Sequence, residues 1–188
     1  MSDMTVAQAQ EDMRQAYLSG APGVLVSGLV WLAAGGVAVF VSDRSAVLAL
    51  LAGGALIHPL GVLVERALGR SGTHTVGNPL ARLAGETTVS LLVGLVIAFA
   101  VSTVRLEWFF PTVLLVIGAR YLAFQTLYGV RTYWACGATL CAVGFGLGVL
   151  AAPVAVGAFA GAAVELVTAA ALFRQARRGH ADEAALQP

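Results

Sequence analysis

Six runs of about twenty apolar residues constrain this chain more than anything else in it. They lie near Pro22–Val41, Ala46–Val64, Pro79–Ser102, Phe109–Tyr128, Thr132–Leu150 and Pro153–Phe173. A hydrocarbon core of about 30 Å takes about twenty helical residues to cross, so each run is long enough for one crossing. Strands do not need runs this long, and lipid tolerates no open sheet edge. The expected fold is therefore all-α, a six-transmembrane-helix bundle with the lipid bilayer as its first partner. Composition agrees: 59% of the 188 residues are hydrophobic and 11% charged, with a mean hydropathy of +0.84, far too apolar for a soluble domain.

The polar stretch ahead of the first run has its own pattern. Thr5-Val6-Ala7-Gln8 matches a capping box, in which the Thr hydroxyl takes a backbone N–H and the Gln side chain reaches back. The helix it starts places Val6, Ala9, Met13 and Tyr17 on one side and Glu11, Asp12 and Arg14 elsewhere, as a short amphipathic surface helix does. Gly20-Ala21-Pro22 breaks it and begins the next helix. This divides the chain into an amphipathic N-terminal helix (1–20), a six-helix transmembrane domain (21–174) and a cytoplasmic tail (175–188). Asn78-Pro79 reads as a cap followed by proline, and Pro111 and Pro153 fit first turns. No signal peptide is expected, because polar residues precede the first apolar run.

Arginine sets the orientation. All 11 basic residues are Arg. Arg14, Arg66, Arg70, Arg82, Arg131, Arg174, Arg177 and Arg178 gather on one side, Arg44 and Arg105 on the other, and Arg120 falls inside a crossing. The excess of arginine marks the cytoplasmic face, so both termini are expected there. Trp108, Phe109 and Phe110 mark one boundary, and Tyr128, Tyr133 and Trp134 the other. A net charge of +1 gives no basic field, so nucleic acid is not an expected partner. Cys136 and Cys141 point to different helix faces and lack metal spacing; they read as apolar packing residues, and neither a metal nor a cofactor is expected.

The ionisable residues inside the runs are the candidates for function. Arg120 sits about ten residues from either end of its run, near the bilayer midplane, at an insertion cost of about 2.5–3.5 kcal/mol that its apolar neighbours offset. Glu165 is also near mid-depth, in a run with fewer large apolar residues, so it needs a partner, a proton or water. It continues the stripe Gly157–Gly161 at four-residue steps, which places it against a neighbouring helix. Tyr121, Phe124, Gln125 and Tyr128 share a broad face with Arg120 that should line the interior. Glu86 is shallower, and Arg82 one turn earlier offers it a boundary ion pair. His58 precedes Pro59, where a missing N–H frees a carbonyl and favours a local hydrogen bond. Without a second His or a Cys at metal spacing, His58 is no metal ligand.

Two stretches, Tyr17–Leu32 (YLSGAPGVLVSGLVWL) and Arg120–Trp134 (RYLAFQTLYGVRTYW), resemble the signatures of a family of small bacterial multipass membrane proteins of unknown function. The resemblance implies six helices and a bacterial plasma (inner) membrane location; it implies no activity and no site residue. From the residues themselves, three functions stand side by side. A transporter or channel for a small polar or anionic solute would use Arg120 as the anion contact, with Glu165, Tyr121 and Gln125 beside it and Glu86 or His58 exchanging protons. A scaffold or partner subunit, including a homo-oligomer, would use the small residues for association and Arg120–Glu165 as a buried pair fixing helix register. An intramembrane lipid-modifying enzyme would have only Glu86, Arg82 and His74 near the headgroups, a set that matches no hydrolytic motif, so the reading leans away from an enzyme.

Overall fold

The computed structural model describes residues 4–185, with side chains described through residue 178. It contains seven α-helices: α1 (Val6–Tyr17), α2 (Ala21–Phe40), α3 (Asp43–Ala67), α4 (Leu80–Val104), α5 (Phe109–Tyr128), α6 (Thr132–Val149) and α7 (Val154–Ala185). Among the described residues there is no strand. α2 to α7, with α1 leading into α2, provide six helices long and apolar enough to cross a membrane. α7 continues helically past the expected end of the sixth crossing, and of the expected tail residues 186–188 lie outside the described ones.

The local signals act as their chemistry dictates. Thr5 and Gln8 form the reciprocal capping box that starts α1. Ser42 caps α3, taking the Ser45 N–H at 3.1 Å, which moves the start of this helix a turn ahead of the expected Ala46. Asn78 takes the Leu80 N–H at 2.9 Å at the head of α4. Pro59 lies inside α3 without ending it. Between α1 and α2, Leu18, Ser19 and Gly20 all take positive φ. Tyr133 Oη donates to the Ser19 carbonyl there at 2.5 Å, and a Cβ on Gly20 would lie 2.5 Å from Tyr133 Oη, so that position, at φ 77°, admits only glycine.

Packing is uneven. α2 lies along α7 and α5 along α6, each pair joined by close approaches at glycine. At Gly118 of α5 a Cβ would sit 2.8 Å from the Gly137 carbonyl of α6, and at Gly144 it would sit 2.8 Å from the Pro111 carbonyl. These are backbone-to-backbone contacts, the geometry that small residues permit between membrane helices. α6 meets α7 and closes this four-helix wall. α3 is held mainly by α2, and α4 mainly by α5. α3 and α4 scarcely touch each other, so the bundle is a horseshoe with its opening between them.

α1 is bound across one end of the bundle, which is called the α1 end below. Gln10 Nε2 donates to the Thr126 carbonyl at 2.8 Å and Arg14 Nη1 to the Tyr128 carbonyl at 2.6 Å, both at the end of α5. Asp12 accepts from the Thr75 N–H and hydroxyl and from Asn78 Nδ2 at 2.7 Å, tying α1 to the α3–α4 connection. Burial pushes the Asp12 carboxyl up, but the donors of Asn78 and Thr75 outweigh it and hold the group below its ordinary range. The clamp is therefore complete at neutral pH and is lost as pH falls through that lowered value.

Candidate functional site

Inside the horseshoe lies a cavity of about 700 Å³, walled by α2, α3, α4 and α5 and bounded at the α1 end by Met13, Tyr17 and His74. Its size is that of a pocket for a small organic ligand. α3 and α4 present facing stripes across it: Leu51, Ala55, His58, Val62 and Glu65 from one, Gly85, Thr88, Leu92 and Leu95 from the other. The walls are mostly aliphatic, and the polar groups are few enough to name.

Arg120 is one of them. Its guanidinium lies 5.0 Å from the Phe124 ring centroid, one turn on, and Nη2 donates to Thr88 Oγ1 on α4 at 3.1 Å. Nε has no hydrogen-bond partner, and among the described residues no carboxylate forms an ion pair with Arg120. A guanidinium over an aromatic face with its fork only partly used is well prepared for an oxyanion.

The expected contact between Arg120 and Glu165 is not made. Successive helical residues differ by about 100° in direction, so when Arg120 faces the cavity it is Tyr121 that faces α7. Tyr121 Oη donates to Glu165 Oε1 at 3.0 Å. Glu165 is fully buried, Ser27 of α2 is the other polar side chain turned toward it, and Oε2 is without a hydrogen-bond partner. The carboxylate therefore stands behind the tyrosine as an inner layer, close enough to Arg120 for Coulomb interaction but not bonded to it. Around Tyr121 an aromatic cluster of Phe124, Tyr128 and Tyr133 holds ring centroids 5.5–5.8 Å apart. Such packing fixes the phenol in place.

The other expected site residues fall differently. His58 lines the cavity on α3, one turn from Ala55. Gln125 is half-buried and lies outside the cavity. Glu86 is exposed, and the expected pair with Arg82 does not form among the described residues. An Arg one turn before a Glu has the weaker of the two helical orientations, and both side chains are free to face outward. Cys136 and Cys141 are free thiols, and no cluster of His, Cys, Asp or Glu among the described residues could hold a metal ion.

Glu65 and Thr88, which the residue pattern did not single out, belong to the cavity, as does the pair Tyr17 and His74. Glu65 of α3 is 6% exposed, lines the wall, and has an Oε2 without a partner. Tyr17 Oη and His74 Nδ1 are 2.8 Å apart at the α1 end. Thr88 holds the Arg120 fork. Glu65 had a visible signal, a carboxylate just past the end of the second apolar run, but nothing in that run says that Gly72, in the loop carrying His74, comes to lie beside its Oε2. Set beside known proteins, the chain is matched over residues 6–175 by the model of a family of unknown function, DUF7010. No curated protein and no solved structure matches it.

Proposed function

The chain thus belongs to the DUF7010 family of unknown function, and from that premise we propose that it is a carrier for a small anionic solute, multipass in a bacterial plasma membrane with both termini in the cytoplasm. The observation that supports this reading is the cavity reaching Arg120, a guanidinium with a free donor and, among the described residues, no carboxylate ion pair. An ionisable residue held this way at mid-depth, facing a cavity, is by default a candidate for solute contact. A register-fixing pair, the main structural alternative, would need the Arg120–Glu165 contact. Tyr121 with Glu165 behind it then serves to position and balance Arg120, while His58 and Glu65 on the α3 wall are the groups available for protons.

The test is charge displacement in proteoliposomes on a solid-supported membrane, pulsed with phosphate, acetate and glutamate. At least one of the three is expected to evoke a saturable current that Arg120→Gln abolishes and Arg120→Lys partly retains, since lysine keeps the charge but not the fork. No current from any of the three, or one indifferent to Arg120→Gln at normal folding yield, would overturn the reading.

A further inference from the structure

The cavity holds two unsatisfied charged groups of opposite sign, and they do not meet. Arg120 has the free Nε, and Glu65 has the free Oε2. Arg120 lies eight residues from the end of α5 and Glu65 two from the end of α3, an axial offset of about 9 Å at 1.5 Å per residue. Tyr128 stands within Coulomb reach of both. An anion alone would satisfy Arg120 and leave Glu65 a buried, uncompensated carboxylate in the same space.

The opening between α3 and α4 is a second, independent observation. Gly23, Gly54 and Gly85 line the cavity within helices, and a Cβ on any of them would meet nothing within 4 Å. A glycine inside a helix is less favourable than alanine by about 1 kcal/mol, and packing explains none of these three, unlike Gly118 or Gly144. (Gly36 and Gly146 are also open but lie outside the cavity.) Beyond the level of Arg120 the facing walls are Leu51, Leu91, Leu92, Leu95 and Val113, with Trp31 at the back. Helices that face each other without touching leave a slot through which a hydrocarbon chain can pass from the bilayer.

We propose that the cavity binds a zwitterionic amphiphile with one hydrocarbon chain, its oxyanion on Arg120, its ammonium on Glu65, and its chain lying between α3 and α4 beside Trp31. This rests on the carrier reading only in taking Arg120 as the anion contact. It adds that the same cavity takes a ligand from the membrane itself. A volume of about 700 Å³ has room for a head and a single chain, within the range of pockets for organic ligands.

Trp31 supplies the probe. With Trp108→Phe and Trp134→Phe it is the sole tryptophan, and bromine on a bound chain quenches it. Titrating the detergent-solubilised full chain with lysophosphatidylethanolamine carrying a 9,10-dibromostearoyl chain is expected to give saturable quenching. Arg120→Gln and Glu65→Gln should each raise the half-saturating concentration about tenfold, the effect of losing one charge-assisted contact. Dibromostearic acid, an anion only, should bind more weakly and be indifferent to Glu65→Gln. Gly54→Leu with Gly85→Leu, at positions where a Cβ meets nothing within 4 Å, should abolish the quenching at a folding yield checked by size-exclusion chromatography. Quenching that rises without saturation, or that survives the glycine pair, overturns the proposal. So does equal binding of the two probes with no effect of Glu65→Gln. If small anions still move charge through Arg120, such failures leave the carrier reading standing; saturable binding indifferent to Arg120→Gln overturns both.

Discussion

Replacing Tyr121 by phenylalanine is expected to lower the unfolding temperature in detergent by about 5–10 °C, and adding Glu165→Leu is expected to bring it back. The phenol donates to Oε1 of Glu165, a fully buried carboxylate whose Oε2 lacks a hydrogen-bond partner and toward which Ser27 is the other polar side chain turned. A hydrogen bond to a charged group contributes about 1.5–3 kcal/mol, and leaving a buried group unsatisfied costs its desolvation. In a chain of this length each kcal/mol moves the midpoint by about 2–4 °C. When both partners become apolar groups of similar shape, no orphan remains, and the double variant should be as stable as the parent or more so. A double variant no more stable than Tyr121→Phe alone would contradict this. Restoration would show that the buried polar layer is dispensable for folding. Its presence behind Arg120 would then belong to the carrier's work.

The second large effect concerns the wall behind the site. Gly118→Val is expected to separate α5 from α6 and lower stability by more than about 3 kcal/mol, beyond the usual overpacking range. The added Cβ would lie 2.8 Å from the Gly137 carbonyl, 3.0 Å from the Cys141 nitrogen and 2.6 Å from Cys141 Sγ. Two of those atoms are backbone, and neither can yield without moving a helix. Gly54→Ala has the opposite expected sign, because its Cβ meets nothing and alanine is the better helix former by up to about 1 kcal/mol. Thermal midpoints of the two variants read the contrast directly. A destabilised Gly54→Ala would mean that the slot between α3 and α4 is narrower than described.

These two glycines also show where the residue pattern stops being informative. Both sit in apolar helical runs, and nothing local separates them. Gly118 is small because a carbonyl from another helix lies against it, and Gly54 lines open space. The six helices, the capping box at Thr5 and the buried face of Glu165 were legible, because each depends on spacing along one segment. The horseshoe was not, since which helices touch is settled by non-local packing. Arg120 and Glu165 were expected to meet because both are charged and at similar depth. One residue of rotation decided otherwise, turning Tyr121 toward α7 and leaving Arg120 to the cavity. Glu65 was passed over because it ends a run, where a carboxylate is ordinarily solvated; in the fold the loop after α3 brings Gly72 beside its Oε2.

The central claim is that an anion can reach Arg120 through this cavity. Thr88, 3.1 Å from the guanidinium and on the cavity wall, marks the place. In a background with Cys136→Ala and Cys141→Ala, a Thr88→Cys variant in right-side-out and inverted vesicles can be treated with an anionic methanethiosulfonate that does not cross membranes. The account predicts modification, slowed about tenfold when Arg120→Gln removes the attracting charge, as expected for a focused charge in a low-dielectric cleft. No modification from either side, or an equal rate without Arg120, would contradict it.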